Sequence, residues 1–149
     1  MSSIDRVDWH SGNNFPHGIP EENGGTHIGM YLNWIIDSDL IGECHSKESG
    51  EGISKVKSKV ISGREFLFDY CDGKFWNEDL NSIGIRFTED YYSTDKYFDD
   101  YANTLANNLE TVYHVENNWD NYAQIRKVLD HRFKKWKDKQ NKRPWEFWK

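Results

Sequence analysis

Cysteine is scarce in this chain: Cys44 and Cys71 are the only two among 149 residues. That excludes a disulfide-stapled scaffold and any CxxC metal knuckle, and it suits a reducing compartment. Proline is equally sparse, with three residues, so no collagen-like stretch exists. No long apolar run is present. The longest stretch, residues 30–36, is broken by Asn33 and closed by Asp37, far short of the roughly 20 residues that a membrane span needs. The opening MSSIDRVDWHSG holds no apolar leader, so the expected compartment is the cytoplasm, without membrane attachment. Basic residues are outnumbered, 19 Lys and Arg against 25 Asp and Glu, for a net charge of −6. Phosphate neutralisation requires clustered Lys and Arg, so a general nucleic-acid binder is not expected. The sequence also lacks HExxH, GxGxxG, GxSxG and a Walker loop, so no catalytic signature marks an enzyme.

Large rings are abundant: 7 Trp, 8 Tyr and 8 Phe. Disordered chains are poor in aromatics, so the low mean hydropathy of −0.92 is compatible with a folded domain whose core leans on rings. The charge is unevenly placed. Residues 1–125 carry 9 basic and 22 acidic side chains, whereas residues 126–149 carry 10 basic and 3 acidic ones. An acidic body favours basic partners; the basic end either folds back on that body or meets anions.

Periodicity points to a single, mostly α domain over 1–149: a compact all-α bundle of about five helices. Residues 1–25 read as an irregular arm, anchored by Trp9, Phe15 and Ile19. Residues 26–138 form the helical core, and 139–149 a basic, Trp-rich tail. The first helix follows Thr26 and is apolar around most of its circumference. Gly29, Asn33 and Asp37 recur every four residues as one narrow stripe, where Gly29 lets a neighbour come close. Val56, Ser58 and Val60 alternate with Lys55, Lys57 and Lys59, so residues 55–61 read as a minor β element or a helical turn. Further helices are expected around Phe66–Cys71, Leu80–Tyr91 and Tyr97–Leu109, with Asn77 or Asp79 capping the second of these. The last helix is the clearest: Trp119, Tyr122, Ile125, Leu129, Phe133 and Trp136 step by three or four behind an Asn118 cap.

Candidate chemistry is thin. The six histidines contain no i,i+3 or i,i+4 pair, so any metal site must assemble in three dimensions, from His27 or His10 with Asp72 or Asp79. The bland reading gives these histidines ordinary hydrogen bonds, with no metal and no cofactor. Cys71 is either a nucleophile with a histidine base or a small buried hydrophobe. Asp72-Gly73 fails as a calcium loop, because Phe68 and Tyr70 stand where ligands would be required.

One segment stands above background. Residues 89–100, EDYYSTDKYFDD, interleave Glu89, Asp90, Asp95, Asp99 and Asp100 with Tyr92 and Tyr97. Tyrosine offers contact area and a hydroxyl at low entropic cost, and carboxylates steer a basic partner. The set Glu89, Asp90, Tyr92, Asp95, Tyr97, Asp99 and Asp100 is thus the candidate partner-binding ridge. Alternatively, Tyr91, Phe98 and Tyr101 are core and the acids face water.

Several short strings occur together: Trp9-His10, Phe15-Pro16, GTHIGMYLNW at 25–34, Asp72-Gly73-Lys74, Asp79-Leu80-Asn81, Tyr91-Tyr92, Asp99-Asp100-Tyr101, and the helix with Trp119, Tyr122, Arg132-Phe133 and Trp136. Over residues 7–136 they resemble a family of small bacterial cytosolic proteins of unknown function, similar to immunity proteins of polymorphic toxin and secretion systems. The resemblance implies a protein that binds and neutralises a cognate toxin, a basic effector such as a nuclease, and it supplies no catalytic residue. Two alternatives stand beside it: a small metal-assisted enzyme with a His/Asp site, and an adaptor module that uses the Trp145 and Trp148 tail.

Overall fold

The computed structural model describes residues 3–10, 12, 15–43, 45 and 49–146, with side chains described as far as Asn141. Its centre is helix α1, Thr26–Asp37, whose residues from Thr26 to Ile36 are all buried. Around it stand α2 (Gly50–Lys57), α3 (Gly63–Cys71), α4 (Ser82–Tyr91), α5 (Lys96–Leu105) and α6 (Trp119–Glu146). A two-stranded antiparallel ribbon joins β1, Ser3–Arg6, to β2, Lys74–Trp76. The expected class, mostly α with a minor β element, holds.

The stripe on α1 has a structural reason. A Cβ on Gly29 would lie 2.4 Å from Arg64 Cα, and one on Gly63 would lie 2.0 Å from the Gly29 carbonyl oxygen. The two glycines let the backbones of α1 and α3 touch. Asn33 Oδ1 accepts from the Gly63 N–H at 3.0 Å, and Asp37 Oδ2 accepts from Tyr122 Oη at 2.6 Å. The polar positions of this stripe, Asn33 and Asp37, are therefore paired, as burial demands. Its apolar remainder packs on rings: Tyr31 with Tyr92 and Tyr97, Trp34 with Phe87 and Phe133.

The β element lies elsewhere than its pattern suggests. Residues 50–57 form α2, with Val56 buried and Lys55 paired to Glu51 one turn back. Residues 58–61 are a turn in which Lys59 takes φ 63°, so the lysine alternation records solvent exposure at a helix end. The strands come from the arm and from residues 74–76, which local periodicity passes over because each is so short. The arm is more regular than expected, since 3-10 turns at Val7–His10 and Glu21–Gly25 follow β1.

Caps explain several boundaries. Ser62 and Glu65 form a reciprocal capping box on α3, and Asn118 Oδ1 accepts from Asn121 N–H at the start of α6. The cap of α4 is Asn81, which accepts from Gly84 N–H at 2.8 Å, and not Asn77 or Asp79. Helix α6 runs to Glu146, so residues 139–146 of the expected tail continue it. The rings of Trp145 and Trp148, and all of Cys44, lie outside what is described.

Candidate functional site

Three segments deliver three metal-ligating side chains to one place. Strand β1 pairs with β2 and turns Asp5, its one buried residue, inward. The Val7 N–H bonds the Gly73 carbonyl at 2.9 Å, and the following 3-10 turn carries His10 back over Asp5. Helix α1 contributes His27 from its first turn. The ligand atoms of Asp5, His10 and His27 all lie within 4.8 Å of one another. His10 Nε2 is 2.7 Å from Asp5 Oδ1, and His27 Nε2 is 3.4 Å from Asp5 Oδ2. The imidazoles meet edge to face, with centroids 4.5 Å apart.

Outer partners hold this cluster. His10 Nδ1 stands 2.8 Å from Tyr113 Oη, on a 3-10 turn at Val112–His114. Asp5 Oδ1 accepts from the Arg6 N–H, and Oδ2 accepts from Tyr92 Oη at 2.5 Å. Burial alone would raise the Asp5 carboxyl; its contacts with His10 and His27 more than reverse this and hold it well below the usual carboxylate range. Burial lowers His27, against the pull of Asp5, and keeps the imidazole neutral. Burial, reinforced by the neighbouring Asp5 charge, raises Tyr92, so its hydroxyl keeps the proton it donates. Among the described residues the fully buried His27 Nε2 makes no hydrogen bond, its nearest acid being Asp5 Oδ2 at 3.4 Å.

Neither Asp72 nor Asp79, the acids expected beside His27 or His10, belongs to this cluster. Asp72 is the exposed αL cap of α3, its carboxylate near Lys74, and Asp79 belongs to a second cluster with His45 and Cys71. Asp5 was missed because only the long-range β1–β2 pairing brings it to the histidines. Cys71 does not suit a nucleophile. Its Sγ lies 3.9 Å from His45 Nε2, the same nitrogen that Asp79 Oδ1 occupies at 2.5 Å, whereas a relay needs the acid on the opposite nitrogen. Burial, with the Asp79 charge beside it, pushes the thiol up, away from the reactive thiolate.

The ridge at 89–100 divides into core and surface. Tyr92 and Tyr97 are buried, stacked on each other at 5.1 Å, with hydroxyls committed to Asp5 and to the His27 carbonyl. They offer no surface to a partner, because both rings pack against the buried Tyr31 of α1. Asp100 is held by Tyr91 and by both prongs of Arg132, and Asp90 accepts from Trp136 Nε1. Glu89, Asp95 and Asp99 are exposed and make no ion pair with a described residue.

A helical domain with a short β ribbon and a buried Asp-His-His cluster is the class these observations define. The chain belongs to the family described as Domain of unknown function (DUF7832), whose model matches residues 3–115. Both clusters fall inside the match; α6, which the sequence resemblance had included, lies beyond it. No curated protein and no solved structure matches the chain. Among the described residues, no helix is long and apolar enough to cross a membrane.

Proposed function

We propose that this domain binds a divalent transition-metal ion through Asp5, His10 and His27. The observation that carries the reading is the convergence of three ligand atoms within 4.8 Å, with the fully buried His27 Nε2 making no hydrogen bond among the described residues although Asp5 Oδ2 stands 3.4 Å away. Two imidazoles and a carboxylate suit zinc best among common ions. Atoms around a tetrahedral zinc stand roughly 3.3 Å apart, given bonds of about 2.0 Å, and the 3.4 Å from His27 to Asp5 is already near that value. Tyr113 and Tyr92 would orient the ligands from outside. The side chains of Asp5, His10 and His27 are only 10%, 17% and 2% exposed, so the ligand atoms are largely shielded from solvent. Such an ion ties the N-terminal strand to α1.

Untagged protein stripped with a chelator is the material for the test. Zinc at a hundredfold excess over Kd is expected to add about 2.7 kcal/mol, a rise in Tm of roughly 5–10 °C for a chain of this size. His27→Gln removes one equivalent from the calorimetric stoichiometry. Equal zinc uptake by His27→Gln and the parent chain would refute the site.

A second reading concerns the face of α4 and α5. The exposed, unpaired carboxylates of Glu89, Asp95 and Asp99 support docking to a basic protein, and the immunity role implied by the resemblance gives that partner as a toxin. The neighbouring gene's product, toxic when expressed alone and harmless when co-expressed, is the expected partner. Reversing the three charges to lysine slows association about tenfold or more at low salt. An association rate indifferent to salt and to these changes rejects the face.

A further inference from the structure

A second convergence shares no residue with the first. The Ile41–Leu80 bridge, flanked by Gly42 N–H to the Asp79 carbonyl at 2.7 Å and Asn81 N–H to the Leu40 carbonyl at 2.9 Å, clamps residues 40–42 against 79–81. Gly42 permits this: a Cβ there would lie 2.6 Å from the Glu78 carbonyl oxygen. The clamp brings His45 over Asp79, and the last turn of α3 adds Cys71 from the side. The three ligand atoms lie within 4.8 Å of one another. His45 and Asp79 each turn their remaining ligand atom toward Cys71 because the other is engaged. His45 Nδ1 is 3.1 Å from Ser49 Oγ, and Asp79 Oδ2 accepts from the Trp76 N–H at 2.7 Å.

The geometry points to a second metal centre, made by His45 Nε2, Cys71 Sγ and Asp79 Oδ1, that takes a thiophilic divalent ion of the zinc class. The donor set is the argument. Imidazole, thiolate and carboxylate are all zinc ligands. Outer hydrogen bonds on the histidine and the carboxylate are what such ligands carry. On loading, the Cys71 S–H bond breaks, a sulfur–metal bond forms, and the proton passes to solvent. The ion joins three segments distant in sequence: the one holding His45, the end of α3, and the turn after β2. This inference is independent of the Asp5-His10-His27 reading.

Cobalt distinguishes the two centres, because only this one contains sulfur. The untagged full chain, reduced and chelator-stripped, is titrated with Co²⁺. A near-ultraviolet thiolate-to-cobalt charge-transfer band is expected, saturating at one equivalent. It persists in His27→Gln and in Cys44→Ser, is lost in Cys71→Ser, and needs about tenfold or more cobalt in His45→Gln. No band in the wild type, or a band kept by Cys71→Ser, overturns the centre. Failure of the other site looks different: the thiolate band stays while His27→Gln removes no equivalent.

Discussion

Gly63→Ala is expected to destabilise the domain by about 3 kcal/mol or more, the upper part of the range for forcing atoms into a packed interior. Helix propensity alone predicts the opposite sign, since alanine is better than glycine within a helix by about 1 kcal/mol. Contact decides. The added Cβ meets the Gly29 carbonyl oxygen at 2.0 Å, Asn33 Cβ at 2.6 Å and the Asn33 nitrogen at 2.9 Å. Two of these are backbone atoms of the central helix and cannot swing aside. Separating α1 from α3 would also stretch the Gly63 N–H bond to Asn33 Oδ1. In urea the midpoint should fall sharply. Gly50→Ala, at the start of α2 with nothing within 4 Å of the added carbon, serves as the reference and should be nearly neutral. Similar midpoints for the two variants would refute backbone contact as the reason for Gly63.

Asp5→Ala is expected to cost about 3 kcal/mol in metal-free protein, because it strands buried donors at roughly 1–3 kcal/mol each. The Tyr92 hydroxyl and the Arg6 N–H both lose their acceptor, and His10 Nε2 loses its 2.7 Å contact. The methyl group that remains cannot refill the space, and water is poorly admitted there. Asp5→Asn keeps the shape and should lose less stability, yet it weakens the metal site, since an amide is a poorer ligand than a carboxylate. Chemical denaturation with and without zinc separates the two effects. Wild-type zinc stabilisation surviving in both variants would remove Asp5 from the ligand set.

Local pattern carried the long elements well. Helix α1 announces itself by apolar residues on most sides and one stripe of Gly29, Asn33 and Asp37, and each of those three has a contact that explains it. Helix α6 reads equally well, because Tyr122, Ile125 and Leu129 all fall on its buried face. Pattern failed at 55–61, where a parity of two imitated a strand although Lys55 and Glu51 pair across a helical turn. It also misjudged Tyr92 and Tyr97. A tyrosine among carboxylates looks the same in sequence whether its ring is buried or exposed. Only the neighbouring helix decides, and here Tyr31 of α1 takes both rings into the core.

By itself, then, the sequence determined the class of fold, the central helix and the glycine that admits a neighbour. Those features follow from spacing within about one helical turn, or from residue type alone. The tertiary structure decided which acid serves which histidine. Asp5 reaches His10 and His27 only once β1 has paired with β2, and Asp79 meets His45 and Cys71 only through the clamp between residues 40–42 and 79–81. The reason is physical. Ligand geometry is set to a few tenths of an ångström by contacts between segments far apart in the chain, and local periodicity carries no information about such distances.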